Sequence, residues 1–287
     1  MWQTKITEML GIEYPIIQGA YGGFGTSALA GPVSEAGGLG IITAGALRTP
    51  ERLSEDIARA RAMTDKPIGV NISPGSTPNV DEMLETIIKA GVKVVETAGM
   101  GAEALGNRLK EAGVIWIHKV ATVRHALAAE KQWADAVVIV GIEGAGHKSP
   151  IQVTTLINIP LAAKVLKVPV IAAGGIGDAR SFMAALAMGA EAAYLGTVFM
   201  ATKECPISDR YKQSIVDRSA FEPEFRARVL APPDVEISGS TPETDEDGTR
   251  ISGVSLAVAT VDKIVTVKEL IQDIISGAEV IRRRWAL

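Results

Sequence analysis

Short apolar runs alternate with amphipathic segments through about the first 200 residues, the rhythm of repeated strand–helix units around a parallel sheet. The apolar runs predict strands at Ile16–Ala20, Leu39–Thr43, Ile68–Ile72, Val92–Ala98, Val114–Val120, Ala136–Ile142, Val168–Gly174 and Ala192–Met200. Between them, helical spacing predicts Ser27–Ala36, Pro50–Ala62, Val80–Ala90, Ala102–Glu111, Val123–Gln132, Val153–Leu166 and Asp178–Met188, each followed by a turn former such as glycine, proline or aspartate. Eight strands with helices between them predict an α/β fold, a (β/α)8 TIM barrel. After Met200 the rhythm breaks. Lys203–Leu230 reads as charged helix, Ala231–Gly248 as loop with an acidic run at Glu243–Asp247 that fits solvated surface, and Val265–Trp285 as a final amphipathic helix ending in Arg282-Arg283-Arg284. The expected organisation is therefore a barrel core over 1–205 and, over 206–287, the last barrel helix plus a C-terminal helical and loop extension near the barrel mouth.

Length and composition agree with one principal domain: 287 residues with 47% hydrophobic content can bury a large core. A net charge of −4 without a dense Lys/Arg stretch argues against nucleic acid as a partner. No apolar run reaches the ~18 residues of a membrane span, and Met1–Leu10 is too polar for a signal peptide. The expectation is a soluble, cytoplasmic protein that acts on a small molecule, without nucleic acid or membrane as a partner and open to forming a homo-oligomer. Cys205 is the only cysteine, so no internal disulfide can form, and three histidines without ligand spacing argue against a zinc site. Gly23-Phe24-Gly25-Thr26-Ser27-Ala28 fits a dinucleotide fingerprint, but the acidic residue that should follow about 20 positions later is missing from Leu39–Leu47.

In such barrels the active site lies in loops at the C-terminal ends of the strands. The unusual residues gather there: Gln18-Gly19-Ala20-Tyr21, Asn71, Glu96-Thr97, His118-Lys119, Gly141 to His147, Gly174-Gly175 and Gly196-Thr197. Gly174-Gly175-Ile176-Gly177-Asp178 leads into a helix that Asp178 can cap, and with Gly196-Thr197 it forms the place where barrels frequently bind phosphate. Asn71 fits either a contact to a heteroaromatic ring edge or a strand-end amide capping its loop. Neighbouring His118 and Lys119 face opposite ways on a strand, so one of them points into the mouth. His147, after a glycine-rich strand end, is the leading catalytic candidate; His125, opening a helix, fits packing or surface.

The motifs Pro15-Ile16-Ile17-Gln18-Gly19, Glu35-Ala36-Gly37-Gly38-Leu39-Gly40, Val70-Asn71, Gly141–His147, Pro169–Ile176 and Gly196–Glu204 together resemble the nitronate monooxygenase family, formerly called 2-nitropropane dioxygenases. That family is similar in fold to the flavin-dependent enoyl-acyl-carrier-protein reductases. The resemblance implies non-covalent FMN. Gly174, Gly175, Gly196 and Thr197 would cradle its phosphate, and Gln18, Gly19, Asn71 and Lys119 would lie around the isoalloxazine and ribityl chain. Glu143 and Gly146 would complete the cofactor site, and His147 would face the flavin as base or substrate-orienting group. Where the family often carries Pro-Met after the glutamine, this chain has Gly19-Ala20-Tyr21, so Tyr21, with His118, is expected to shape the substrate pocket. The function implied is FMN-dependent oxidative denitrification of nitronates or nitroalkanes with molecular oxygen. The rival readings are an NAD(P)H-dependent flavin reductase of an enoyl thioester, enone or quinone, and a flavin-binding protein without turnover.

Overall fold

Eight parallel strands form one row: β1 (Ile16–Gln18), β2 (Gly40–Thr43), β3 (Ile68–Asn71), β4 (Val94–Ala98), β5 (Ile115–Val120), β6 (Ala136–Val140), β7 (Val170–Ala173) and β8 (Ala192–Leu195) pair in the order β1-β8-β7-β6-β5-β4-β3-β2. The ends of the row meet and close a (β/α)8 TIM barrel. The computed structural model describes residues 2–99, 101–146, 151, 153–231, 243–245, 250–251 and 253–285.

Closure between β1 and β2 rests on few bonds. Ile17 bridges Leu39, the Gln18 N–H donates to the Leu39 carbonyl at 2.9 Å, and the Leu39 N–H donates to the Ile16 carbonyl at 2.9 Å. The Gln18 carboxamide then continues the ladder in place of backbone. Its Oε1 accepts from the Ile41 N–H at 3.0 Å, while Nε2 donates to the Ile41 carbonyl at 3.3 Å and to the Gly19 carbonyl. Gln18 is fully buried, and both amide hydrogens and the oxygen are used in this seam.

Side-chain alternation along the strands divides the core into two. Ile17, Ile41, Val94, Ile117, Val138 and Ile171 fill the barrel interior together with Ile6 and Leu10 of α1 (Lys5–Leu10), a helix the hydrophobic pattern does not predict. The Lys5 N–H donates to Glu191, just before β8, so α1 plugs the N-terminal end of the barrel. Outward side chains such as Val70, Val95, Trp116, Val137 and Ile139 pack under a ring of helices: α2 (Ser27–Glu35), α3 (Ala44–Leu47), α4 (Pro50–Met63), α5 (Val80–Lys89), α6 (Glu103–Glu111), α7 (Val123–Lys131), α8 (Thr155–Val165) and α9 (Ala179–Ala187).

Beyond β7 the pattern is less faithful. The run predicted as strand through Met200 stops at Leu195: Gly196 turns the backbone (φ −108°, ψ −80°) and Thr197–Met200 becomes α10. A short apolar run fits a buried helical turn as well as a strand. The charged stretch that follows holds α11 (Asp209–Val216) and α12 (Pro223–Leu230). The acidic run is not all solvated loop. Glu243–Thr244 (β9) pairs antiparallel with Arg250–Ile251 (β10), and the Asp245 carboxylate accepts from the Ser208 N–H and hydroxyl at the start of α11. The last helix, α13 (Val267–Trp285), packs against α9 and α2, and Gly277 permits the close crossing, since a Cβ there would lie 2.6 Å from that of Ala179. Arg282 sits over the Trp2 ring, binding this last helix to the N-terminal segment. Among the described residues no helix is long and apolar enough to cross a membrane.

Replacing Gln18 tests the seam. Gln18→Leu strips the Ile41 N–H and carbonyl of their partners at a buried position, and is expected to lower stability by about 1–3 kcal/mol. Urea unfolding measures it; an unchanged midpoint would show that the barrel closes without the carboxamide.

Candidate active site

Above the apolar interior, at the C-terminal ends of the strands, four inward side chains form a polar layer: Asn71 of β3, Glu96 of β4, Lys119 of β5 and Tyr194 of β8. Strand alternation puts them there, because Glu96 follows Val94 by two residues, Lys119 follows Ile117, and Tyr194 follows Ala192, all of them interior positions. Asn71 Nδ2 donates to Glu96 Oε2 at 2.5 Å, and the Tyr194 hydroxyl donates to the same oxygen at 3.5 Å. That hydroxyl accepts from the Ala20 N–H at 2.7 Å, and Lys119 Nζ lies 5.1 Å from the Tyr194 ring centroid. Glu96 is 1% exposed, and its Oε1 has no partner among the described residues. Burial pushes its carboxyl pKa up, against the opposing pull of Lys119, Asn71 and Tyr194.

His118 belongs elsewhere, which corrects its placement in the substrate pocket. It faces outward from β5, where Nδ1 shares a 2.7 Å hydrogen bond with Thr97 Oγ1, the oxygen that also accepts from Trp116 Nε1 at 2.7 Å. Burial lowers its pKa to about 4, so it is a neutral packing histidine at neutral pH. The alternation that sends Lys119 inward sends His118 out.

The glycine-rich loops lie across the mouth. Gly174 (φ +102°) and Gly175 (φ +73°) hold conformations that an L side chain strains to adopt, and Gly174 also sits where a Cβ would come within 3.0 Å of Thr155 Oγ1. The start of α9 takes less part than the sequence predicts. Asp178 Oδ1 accepts from the Ser181 N–H at 2.8 Å, and Ser181 Oγ accepts from the Gly177 and Asp178 N–H groups at 3.0 Å. Those N–H groups are therefore committed, and a carboxylate already faces the positive helix end. Thr197 opens α10, with its hydroxyl accepting from the Ser255 N–H at 2.9 Å and sharing a 2.7 Å bond with the Ser255 hydroxyl. Among the described residues, no protein acceptor takes the N–H of Gly175 or of Thr197.

Tyr21 is likewise not an open pocket wall. It is 3% exposed and stacked on Phe24, and its hydroxyl donates to the Gly196 carbonyl at 2.7 Å. Because a trans peptide points its C=O and N–H oppositely, holding the Gly196 carbonyl turns the Thr197 N–H the other way. Gly25 of the fingerprint-like stretch is a packing glycine, since a Cβ there would lie 2.3 Å from Thr43 Oγ1. Gly19 lets the β1 loop approach β8, donating to the Leu195 carbonyl at 2.7 Å. Glu143, expected at the cofactor site, braces the neighbouring helix. Its carboxylate accepts from the Thr155 N–H at 3.0 Å and hydroxyl at 2.9 Å, capping α8 where Thr154 makes no side-chain bond. Gly146 (φ +87°) is exposed. His147 lies outside the described residues.

Two participants escape the sequence reading. Tyr194 is embedded in an apolar run, and its one polar atom is the only signal. Ser255 reaches Thr197 across 58 residues, and no local motif announces it. It lies on Gly253–Thr260, a strap that crosses the loops after β6 and β8: the Leu256 N–H donates to the Glu143 carbonyl at 3.0 Å, and a Cβ at Gly177 would strike Thr260.

A family model described as nitronate monooxygenase matches residues 3–83 and 75–231. A (3aS,4S,5R,7aS)-5-hydroxy-7a-methyl-1-oxo-octahydro-1H-indene-4-carboxyl-CoA dehydrogenase of Mycobacterium tuberculosis is 34% identical, covering 91% of this chain and 73% of the relative. A probable nitronate monooxygenase of Staphylococcus aureus is 32% identical, covering 76% of this chain and 73% of the relative. Among solved structures, FabK from Thermotoga maritima is similar over 100% of both chains, with a TM-score of 0.86 at 32% identity. Nitroalkane oxidase from Streptomyces ansochromogenes shares the fold, with a TM-score of 0.79 at 23% identity over 97% of this chain and 99% of that one.

His118 gives a pH signature. Its pKa falls from 6.5 to about 4 on folding, so between those values the unfolded chain binds the proton that the folded chain refuses. Stability is expected to drop as pH falls through that window, by on the order of 3 kcal/mol, and His118→Gln should flatten that part of the profile. Equal slopes in the two proteins would contradict the assignment.

Proposed function

The chain belongs to the nitronate monooxygenase family and is an oxidoreductase, and from that premise we propose that it binds FMN non-covalently across the barrel mouth and oxidises nitronates with molecular oxygen. The observation that carries this reading is the bare backbone at Gly174, Gly175 and Gly196, opposite the polar layer that holds Lys119. A Cβ at Gly196 would meet nothing within 4 Å, and the positive φ at the other two leaves backbone where side chains would crowd a phosphate. These residues fit a flavin phosphate.

Bound FMN supplies electron transfer and the reaction with oxygen. The chain's own groups do the rest. The Gly175 and Thr197 N–H groups would hold the phosphate, with Tyr21 keeping the Gly196–Thr197 peptide in that orientation. Lys119 would stabilise negative charge on the ring or on a substrate oxygen, while the apolar layer beneath would exclude water. For a nitroalkane, an imidazole nitrogen of His147 takes the α-proton, a task suited to a near-neutral base.

A second reading, NAD(P)H-linked chemistry on an enoyl or related thioester, is favoured by the dehydrogenase of a CoA compound at 34% identity and by the end-to-end likeness to FabK.

A purified protein that is colourless and takes up no added FMN would sink the flavin reading. Mixed without oxygen, propyl-2-nitronate is expected to bleach the flavin band; bleaching by NADH or NADPH alone, followed by reoxidation with crotonyl-CoA, would replace the nitronate reading with the second. Gly175→Ala places a Cβ at φ +73° and 3.2 Å from that of Glu143, and is expected to weaken FMN binding by about tenfold in a fluorescence titration. His147→Ala should keep FMN and lose most turnover of nitroalkane, but not of preformed nitronate.

A further inference from the structure

Glu96 has an unequal pair of oxygens. Both of its donors, Asn71 Nδ2 and the Tyr194 hydroxyl, go to Oε2, while Oε1 meets no donor in the described protein, and the side chain is buried. An ionised carboxylate that leaves one oxygen bare in the interior bears an uncompensated desolvation cost. A neutral carboxylic acid does not, provided that its hydroxyl finds an acceptor. Oε2 already receives two donors, so the proton belongs on Oε1. Among the described residues no acceptor lies there, and the layer that Glu96 shares with Lys119 sits at the C-terminal ends of the strands.

We propose that Glu96 Oε1 carries a proton and donates it as a hydrogen bond, alongside the Lys119 ammonium, to one oxygen of the molecule in the barrel mouth that gains negative charge in the reaction. The proton stays on Glu96 and no bond is made or broken there. The donor strengthens its bond as charge builds on the acceptor, which lowers the barrier more than it tightens the ground state. The acceptor is an oxygen that gains negative charge, either a carbonyl of the flavin's pyrimidine ring as that ring takes up electrons or a nitro oxygen of a nitroalkane as its α-proton leaves. This inference deepens the flavin reading above and rests on it for the identity of the acceptor. Lowering of the Glu96 pKa by Lys119, Asn71 and Tyr194 is outweighed by burial, in keeping with the neutral form.

The conservative variant separates a donor from an ionised base. Glu96→Gln can still accept from Asn71 and Tyr194 through its oxygen and present an N–H where the acid presented O–H; Glu96→Leu can do neither. The infrared spectrum of the wild-type protein at neutral pH is expected to contain a protonated-carboxyl band that Glu96→Gln removes, a measurement that needs neither cofactor nor Glu96→Leu. With FMN bound, a flavin acceptor predicts a lower midpoint potential in Glu96→Leu and a near-normal one in Glu96→Gln. A substrate acceptor predicts an unchanged potential, with the limiting rate of anaerobic flavin bleaching by nitroethane lowered about tenfold in Glu96→Leu alone. Absence of the band overturns the proposal. So does damage in Glu96→Gln equal to that in Glu96→Leu, or no change in potential and bleaching rate in either. A wild-type protein that binds no FMN instead removes the flavin reading, and the infrared result still decides whether Glu96 is protonated.

Discussion

The structure depends on closing the gap between its first two strands. Seven of the eight neighbouring strand pairs form ordinary parallel ladders, whereas β1 and β2 share one bridge and the carboxamide of Gln18. Without closure, each inward side chain would face solvent on one side, and the interior layer of Ile17, Ile41, Val94, Ile117, Val138 and Ile171 would have no common centre. A side-chain amide can stand in for backbone here because it offers the same donor and acceptor and is shut away from water that would compete for them.

Closure also explains why the inward polar side chains are confined to one end. α1 plugs the N-terminal end of the barrel and the middle is aliphatic, so polar side chains can gather only where the strands empty into loops. There Asn71, Glu96, Lys119 and Tyr194 come from four strands, yet share few bonds with water-exposed groups. The layer is held from outside as well. Ala20 is tied to it through Tyr194, Tyr21 ties the same loop to Gly196, and Ser255 ties the extension to Thr197. Loops that in isolation would sample many conformations are thus referred to one rigid frame.

Much of this was legible in the residues because it is periodic. Alternating apolar runs predict the strands to within a few residues, and glycines after helices mark their ends. Gly174, Gly175, Gly196 and Thr197 are visible because they follow the seventh and eighth apolar runs, where such barrels frequently bind phosphate. What the pattern does not contain is direction. Lys119 and His118 are neighbours of similar chemistry, and only the register of β5 with β4 decides that one lines the mouth and the other packs on Trp116. The sequence places Glu143 after β6, but not the bond that its carboxylate accepts from Thr155, twelve residues on. Tyr21, singled out because it departs from the family's Pro-Met, donates its hydroxyl to the Gly196 carbonyl. Long-range partners such as Ser255 leave no local trace because hydrogen bonds across a fold impose no spacing on the chain.

The strap from Gly253 to Thr260 has a consequence for the order in which the molecule is made. All eight strands leave the ribosome before it, so a nascent chain can assemble its sheet while Thr197 still lacks the Ser255 hydroxyl and N–H, and while α2 and α9 still wait for α13. The hydrogen bonds that tie Thr197 to Ser255 are therefore made only after the whole sheet has left the ribosome.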